Sequence, residues 1–280
     1  MGPSRKILDK IMSFEQPQFK PEVKSEVGPE EPPKDEKKET EFPKEREPYL
    51  DFEKIRSTHR GLEEVCRVLD LQKEQFRNKN VLDIGSGLGG LALDLANLPE
   101  LKTKITSLDP RYTKESFQKS FTDFQEKLRK NGRNPPETVE ALDELKRESH
   151  VTEPVTLLDA ARELRRKGQP MVAGSAEALP FKDKSFDMVV SSYAIPVIME
   201  DSPERIQKAI QEIGRVLKIN GAAHLGPLSN ELRDFVEALP SAPDIRREFH
   251  GSKETEKEAA RYGIDAGWVL TLQKLRKWGK

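Results

Sequence analysis

The sequence predicts an α/β three-layer sandwich built on a mostly parallel central sheet, and three observations lead there. Short apolar runs of strand length alternate with longer stretches of helical period, the alternation that places helices on both faces of a parallel sheet. The first of those runs passes straight into a glycine-rich turn and then a helix. Ahead of them all lies a segment of different composition, which marks where the folded domain begins.

That segment comes first in the chain. Eight of the 20 prolines fall within residues 1–48, interleaved with charges as in the run from Pro29 to Glu39. Such a stretch buries too little apolar area to offset the entropy of ordering it. Residues 14–46 are therefore expected to be disordered, with a charged tail over 1–46 and a single domain over 47–280. Ile7, Ile11, Met12 and Phe14 have helix-like spacing. They read as a frayed terminus, with a helix for a protein partner as the alternative.

From Tyr49 the helical period sets in, with Ile55, Leu62, Val65, Cys66 and Leu69 recurring at threes and fours. Val81 to Ile84 reads as a buried strand, Leu91 to Leu98 as a helix, and Ile105 to Leu108 as a second strand. Residues 111–168 form a charged, mostly helical stretch broken between Asn131 and Pro136. One crossover helix needs far less chain, so this is read as a helical insertion able to cover the active site. Met171-Val172, Phe186 to Ser191 and Ala222 to Leu225 read as three further strands, with a helix over Pro203 to Leu217. Trp268 to Leu275 reads as a closing strand.

Composition narrows the function. The formal net charge is -1, which argues against a broad basic face for duplex nucleic acid. The single cysteine, Cys66, excludes an internal disulfide and a Cys-pair metal site, and no metal is expected. No apolar run approaches the roughly 20 residues of a membrane span. The first residues lack a signal-peptide core, and Lys6 breaks the myristoylation pattern. A cytoplasmic protein is the expectation.

The chemistry concentrates in Val81 to Leu93. Gly85, Ser86, Gly87, Leu88 and Gly89 let the backbone bend tightly and let a ligand approach where a Cβ would stand. The helix that follows offers free N–H groups to an anion. Asp109, at the end of the second strand, can accept from both hydroxyls of a ribose. Gly85, Gly87 and Gly90 also satisfy the dinucleotide fingerprint, with an acid about 20 residues on, so a nicotinamide-dependent oxidoreductase fits these glycines too. Asp83 separates the readings: a carboxylate there repels a pyrophosphate and attracts an ammonium group.

On those residues the sequence resembles the class I S-adenosylmethionine-dependent methyltransferases, whose first motif is matched by Asp83, Gly85, Gly87 and Gly89. Gly174 to Phe181 followed by Ser185 to Ser192 is similar to the family's third and fourth motifs. Glu212 to Gly221 is similar to its helix and turn before the fifth strand. The matching segments run in order over roughly residues 80–226, and the most similar subgroup contains small-molecule and quinone-biosynthesis enzymes. The resemblance implies a Rossmann-like fold and S-adenosylmethionine as cofactor. It implies that Asp83 with the Gly85–Gly89 turn holds the methionine moiety and Asp109 the ribose. Ser175 and Ala176 would sit at the adenine edge and Ser191 beside the sulfonium. The family usually has Asp at the place of Ser175, whose hydroxyl is a weaker acceptor. It also usually ends in a two-strand hairpin, of which only one strand is legible here.

The expected reaction is methyl transfer to a small-molecule acceptor. Such a transfer needs an in-line nucleophile, and a base only if that nucleophile arrives protonated. No catalytic residue is assigned. Ser191 to Pro196 lacks the Asn/Asp-Pro-Pro-Tyr/Phe pattern of base N-methylation. Tyr193 is read either as lining the acceptor pocket or as loop packing, His224 as structural, and His59 and His250 as minor candidates for a base ahead of His150. Asp187 is read as fixing a turn or the sheet edge. The alternative of another class is a catalytically silent cofactor-binding scaffold acting through its tail.

Overall fold

A computed structural model describes residues 60–149, 154–194, 203–240, 242–261 and 264–276. The expectations for the tail, for the helical period before residue 60, and for His59 and His150 lie outside them. Seven strands make one sheet in the order β3-β2-β1-β4-β5-β7-β6. They are β1 (Asn80–Ile84), β2 (Lys104–Leu108), β3 (Met171–Val172), β4 (Phe186–Ser192), β5 (Leu217–Leu228), β6 (Ile245–His250) and β7 (Trp268–Lys274). The pairs among β1 to β5 are parallel, and β7 runs antiparallel between β5 and β6. The α/β class, the mostly parallel sheet and the helical insertion after the second strand are as the sequence predicts.

Eight helices are described: α1 (Leu62–Val68), α2 (Gly90–Ala96), α3 (Lys114–Lys130), α4 (Val139–Glu148), α5 (Leu157–Arg166), α6 (Pro203–Val216), α7 (Asn230–Ala238) and α8 (Lys253–Arg261). Alternate strand residues point to opposite faces, and this divides the core. Val81, Ile105, Met188, Val190 and Val269 pack with Leu62, Val65, Leu91 and Leu164 from α1, α2 and α5. Leu82, Leu108, Val189, Leu225 and Leu270 pack on the other side with Ile206, Ile213, Leu232 and Val236 from α6 and α7. Asp187 ties the lower sheet together, accepting from Asn80 N at 2.9 Å and Lys218 Nζ at 2.8 Å. These contacts hold the lower ends of β1, β4 and β5 together in the middle of the sheet.

The insertion has a small core of its own, formed by Phe121, Phe124, Leu128, Leu142 and Val155. Its three helices each begin on a threonine, and Thr113, Thr138 and Thr156 accept from the N–H groups of Ser116, Ala141 and Asp159. Such caps satisfy donors that the helix leaves unpaired. Helix α5 is the crossover proper, reaching both the sheet core and the glycine turn. Its Leu164 is fully buried and lies where a Cβ on Gly89 would meet Cδ1 at 2.5 Å. Leu164→Ala should therefore cost about 2–5 kcal/mol by the usual penalty for an emptied core site, read by urea unfolding. A cost under about 1 kcal/mol would show that α5 does not seal the turn.

Candidate functional site

At the upper ends of β1 and β2 the backbone must leave the sheet, and the glycines dictate how. Gly85, Gly87 and Gly89 take φ of 72°, 57° and 71°, the left-handed region that costs residues with a Cβ about 1–2 kcal/mol each. Gly85 also faces Ala194, whose Cβ would lie 2.0 Å from one added at residue 85. The turn is then stitched to β2: Gly85 N and Ser86 N donate to Leu108 O at 2.7 and 3.2 Å. Gly87 N donates to Asp109 Oδ2 at 3.1 Å.

Asp83 and Asp109 are both buried and differ electrically. Asp83 pairs in register with Ser107 of β2 and Val190 of β4, and no hydrogen-bond donor reaches its carboxyl among the described residues. Burial pushes it up to about 7, with Arg60 pulling down and Asp109 pushing up. Asp109 is fully engaged. Besides Gly87 N, it accepts from Arg111 N, Nε and Nη2, each at 2.9 Å. The bond from Arg111 N is a turn role; the bond from Gly87 N makes Asp109 part of the glycine turn as well.

Tyr112 completes the turn from the side. Its hydroxyl donates to Gly87 O at 2.9 Å and bonds Ser86 Oγ at 2.7 Å. Its ring packs with Leu88, Leu157 and Ala160, and burial drives the phenol far above its usual range. Arg111, Tyr112 and Ala194 are not among the residues that the motifs single out, although the first two follow closely on Asp109.

The other motif residues gather around the same strand ends. Ser191 and Ser192 end β4 and Ser107 lies beside Asp83; all three hydroxyls are buried without a hydrogen-bond partner. Buried polar groups are seldom left so. Gly174 packs on Leu108, where a Cβ would stand 2.9 Å from Cδ1, which brings Ser175 and Ala176 toward the end of β2. Ser175 Oγ accepts from Glu177 N at 3.4 Å, Ala176 is buried, and Glu177 pairs with Arg205 at 2.6 Å.

Tyr193, His224 and His250 each have partners. Tyr193 is buried, its hydroxyl donates to Glu258 O at 3.1 Å, and Arg60 lies over its ring at 5.1 Å. Loop packing, one of its two readings, is what these contacts describe. Thr271 Oγ1 joins His224 Nδ1 at 3.2 Å to His250 Nε2 at 3.0 Å. Burial lowers His224 to about 4, helped by His250.

A family described as "Methyltransferase domain" matches residues 139–225, from α4 through most of β5. An "Uncharacterized methyltransferase YcgJ" of Bacillus subtilis (strain 168) is 31% identical over 109 residues, which span 38% of this chain and 39% of that protein. Among solved structures, a Methanosarcina mazei protein described as an S-adenosylmethionine-dependent methyltransferase has TM-score 0.42 at 17% identity, covering 72% of this chain and 94% of that one. Phosphoethanolamine N-methyltransferase 1 of Haemonchus contortus, in complex with phosphoethanolamine and S-adenosylhomocysteine, has TM-score 0.41 at 16% identity. That match covers 78% of this chain and 43% of that one. The family resemblance carried by the motifs thus meets a family match over residues 139–225, which starts beyond the glycine turn.

The two buried groups with shifted titrations act on stability in opposite directions. Asp83 holds its proton more tightly folded than unfolded, so its contribution falls as pH rises from about 4 through about 7. His224 holds its proton less tightly folded, so its contribution rises from about 4 to its ordinary value of 6.5. Asp83→Asn removes only the first. Relative to the wild-type protein, this variant should gain stability progressively between pH 4 and 7 and level off above. A flat difference in denaturant unfolding across that range would show that Asp83 ionises normally.

Proposed function

We propose that this chain, a class I methyltransferase in fold and motifs, binds S-adenosylmethionine at the upper ends of β1, β2 and β4 and methylates a small-molecule acceptor. The observation that carries the reading is the pairing of two buried carboxylates, Asp83 and Asp109, on either side of one left-handed glycine turn. An ammonium group fits beside Asp83, which has no hydrogen-bonded partner among the described residues and would ionise next to a cation. Asp109 would take the ribose on the edge that the Arg111 guanidinium now holds, and Ser191 and Ser192 offer unused hydroxyls at the end of β4. Ser175 and Ala176 would border the adenine. The residues present therefore suit the cofactor.

When bound, the cofactor supplies an electrophilic methyl group on sulfur. The chain's part is to bind, to orient and to exclude water. Proximity and alignment alone supply up to about 7–11 kcal/mol in favourable cases. Tyr193, His224 and His250 are engaged elsewhere, so an acceptor that arrives with a free lone pair, such as an amine, needs nothing more from them. No described helix is long and apolar enough to cross a membrane.

Calorimetric titration with S-adenosylhomocysteine, with NAD as control, tests the reading. Binding of the former alone is expected, and preference for NAD would overturn it. Asp83→Ala and Asp109→Ala should each weaken that binding by about 1–3 kcal/mol per lost charged hydrogen bond; unchanged affinity in both would move the site elsewhere. The affinity should also depend on pH. A cation binds the ionised form of Asp83, so affinity should rise as pH passes upward through about 7 and then level. Asp83→Asn should abolish that rise.

A further inference from the structure

We propose that Arg111 sets the affinity of this site, because its guanidinium holds the edge of Asp109 that a ribose would take and must leave before the ribose can bind. The inference rests on the cofactor reading above and adds to it a competitor that belongs to the chain itself.

An ionised carboxylate offers about four lone-pair positions, and on Asp109 all four are filled. Oδ1 accepts from Arg111 N and Arg111 Nε, both at 2.9 Å. Oδ2 accepts from Gly87 N at 3.1 Å and from Arg111 Nη2 at 2.9 Å. Two of these donors are backbone N–H groups, that of Gly87 in the glycine turn and that of Arg111 just past β2. The other two are the side-on pair of one guanidinium, the bidentate arrangement that is strong for Arg and carboxylate. No position is left for a hydroxyl.

The two kinds of donor differ in what can move. The Asp109 side chain keeps 3% of its surface in water and that of Arg111 keeps 39%, so the guanidinium covers the carboxylate from the solvent side. The backbone at residue 111 is held by its neighbour, since the Tyr112 hydroxyl is bonded to Gly87 O and Ser86 Oγ. Rotation of the Arg111 side chain alone uncovers Asp109. The exchange balances in number: two N–H donors leave, two ribose hydroxyls arrive, and the bonds from Gly87 N and Arg111 N persist. It does not balance in strength, because the departing donors are charged and the arriving ones neutral. The chain therefore gives up part of the cofactor's binding free energy to open its own ion pair.

Arg111→Gln removes the competitor. Calorimetric titration with S-adenosylhomocysteine should show the variant binding about tenfold tighter or more than the wild-type protein, the equivalent of one charged hydrogen bond. Arg111→Lys keeps the charge without the fork and should fall between the two. The gain must arise at the ribose. Competition by adenosine should improve in Arg111→Gln, while competition by 2′,3′-dideoxyadenosine, which has no hydroxyls for Asp109, should not. If the wild-type protein binds and Arg111→Gln binds equally or more weakly, or if the dideoxy compound gains as much as adenosine, Arg111 is no competitor, and the cofactor reading stands. If the wild-type protein and both variants, shown folded by circular dichroism, all fail to bind S-adenosylhomocysteine, the cofactor reading falls and this inference with it.

Discussion

The bond from Gly87 N to Asp109 Oδ2 joins two parts of the chain that must meet for the site to exist. It links the turn leaving β1 to the residue that follows β2, and both are placed by the in-register pairing of those strands from Asn80 with Lys104 to Ile84 with Leu108. A slip of one residue between them would put Asp83 and Asp109 on opposite faces of the sheet. The same turn admits Ala194 from beyond β4 and Leu164 from α5 only because Gly85 and Gly89 have no side chain. Elements from separate places in the sequence thus converge on one short turn, which takes its shape when the layers on both sides of the sheet are in place.

Electrically, the site is arranged so that neither acid stands as an exposed negative charge. Asp109 is neutralised by Arg111 and satisfied by two backbone donors. Asp83 has no such bonded partner, and burial brings its titration to about 7, so near neutrality much of it is protonated. A buried carboxylate that stayed ionised without a partner would be costly. One acid answers that cost with an ion pair and the other with a proton, and a cationic ligand bearing hydroxyls could replace both.

Most of the scaffold is legible in the sequence because periodicity and turn chemistry agree. The runs at Val81, Ile105, Met171, Phe186, Ala222 and Trp268 all lie on strands, and the helix beginning at Pro203 ends within a residue of its expected position. The strand that the hydrophobic pattern misses is β6, Ile245–His250. Its outward side chains include Arg246 and Glu248 and it lies at the sheet's edge, so only two apolar residues, Ile245 and Phe249, mark it against three consecutive charges. Edge strands carry such charges as protection against further pairing, which is also what hides them. The amino-terminal half of β5 reads as helix and turn because Lys218 to Gly221 interrupts its pairing, with Leu217 opposite Phe186 and Ala222 opposite Met188.

The site divides along a similar line. Asp83, Asp109 and the glycines are legible because their positions are set by backbone geometry, which a motif encodes. Arg111 and Tyr112 are not, although they stand close to Asp109 in the sequence, because their roles depend on where side chains from separate strands end. A guanidinium two residues past a carboxylate can turn to solvent as easily as back onto it. Here it turns back because Asp109 is buried, because Tyr112 is held against the glycine turn, and because no other donor fills that side of the carboxylate. The contact that most affects access to the site is therefore a consequence of packing, and it becomes visible only when the turn, the second strand and the crossover helix are seen together.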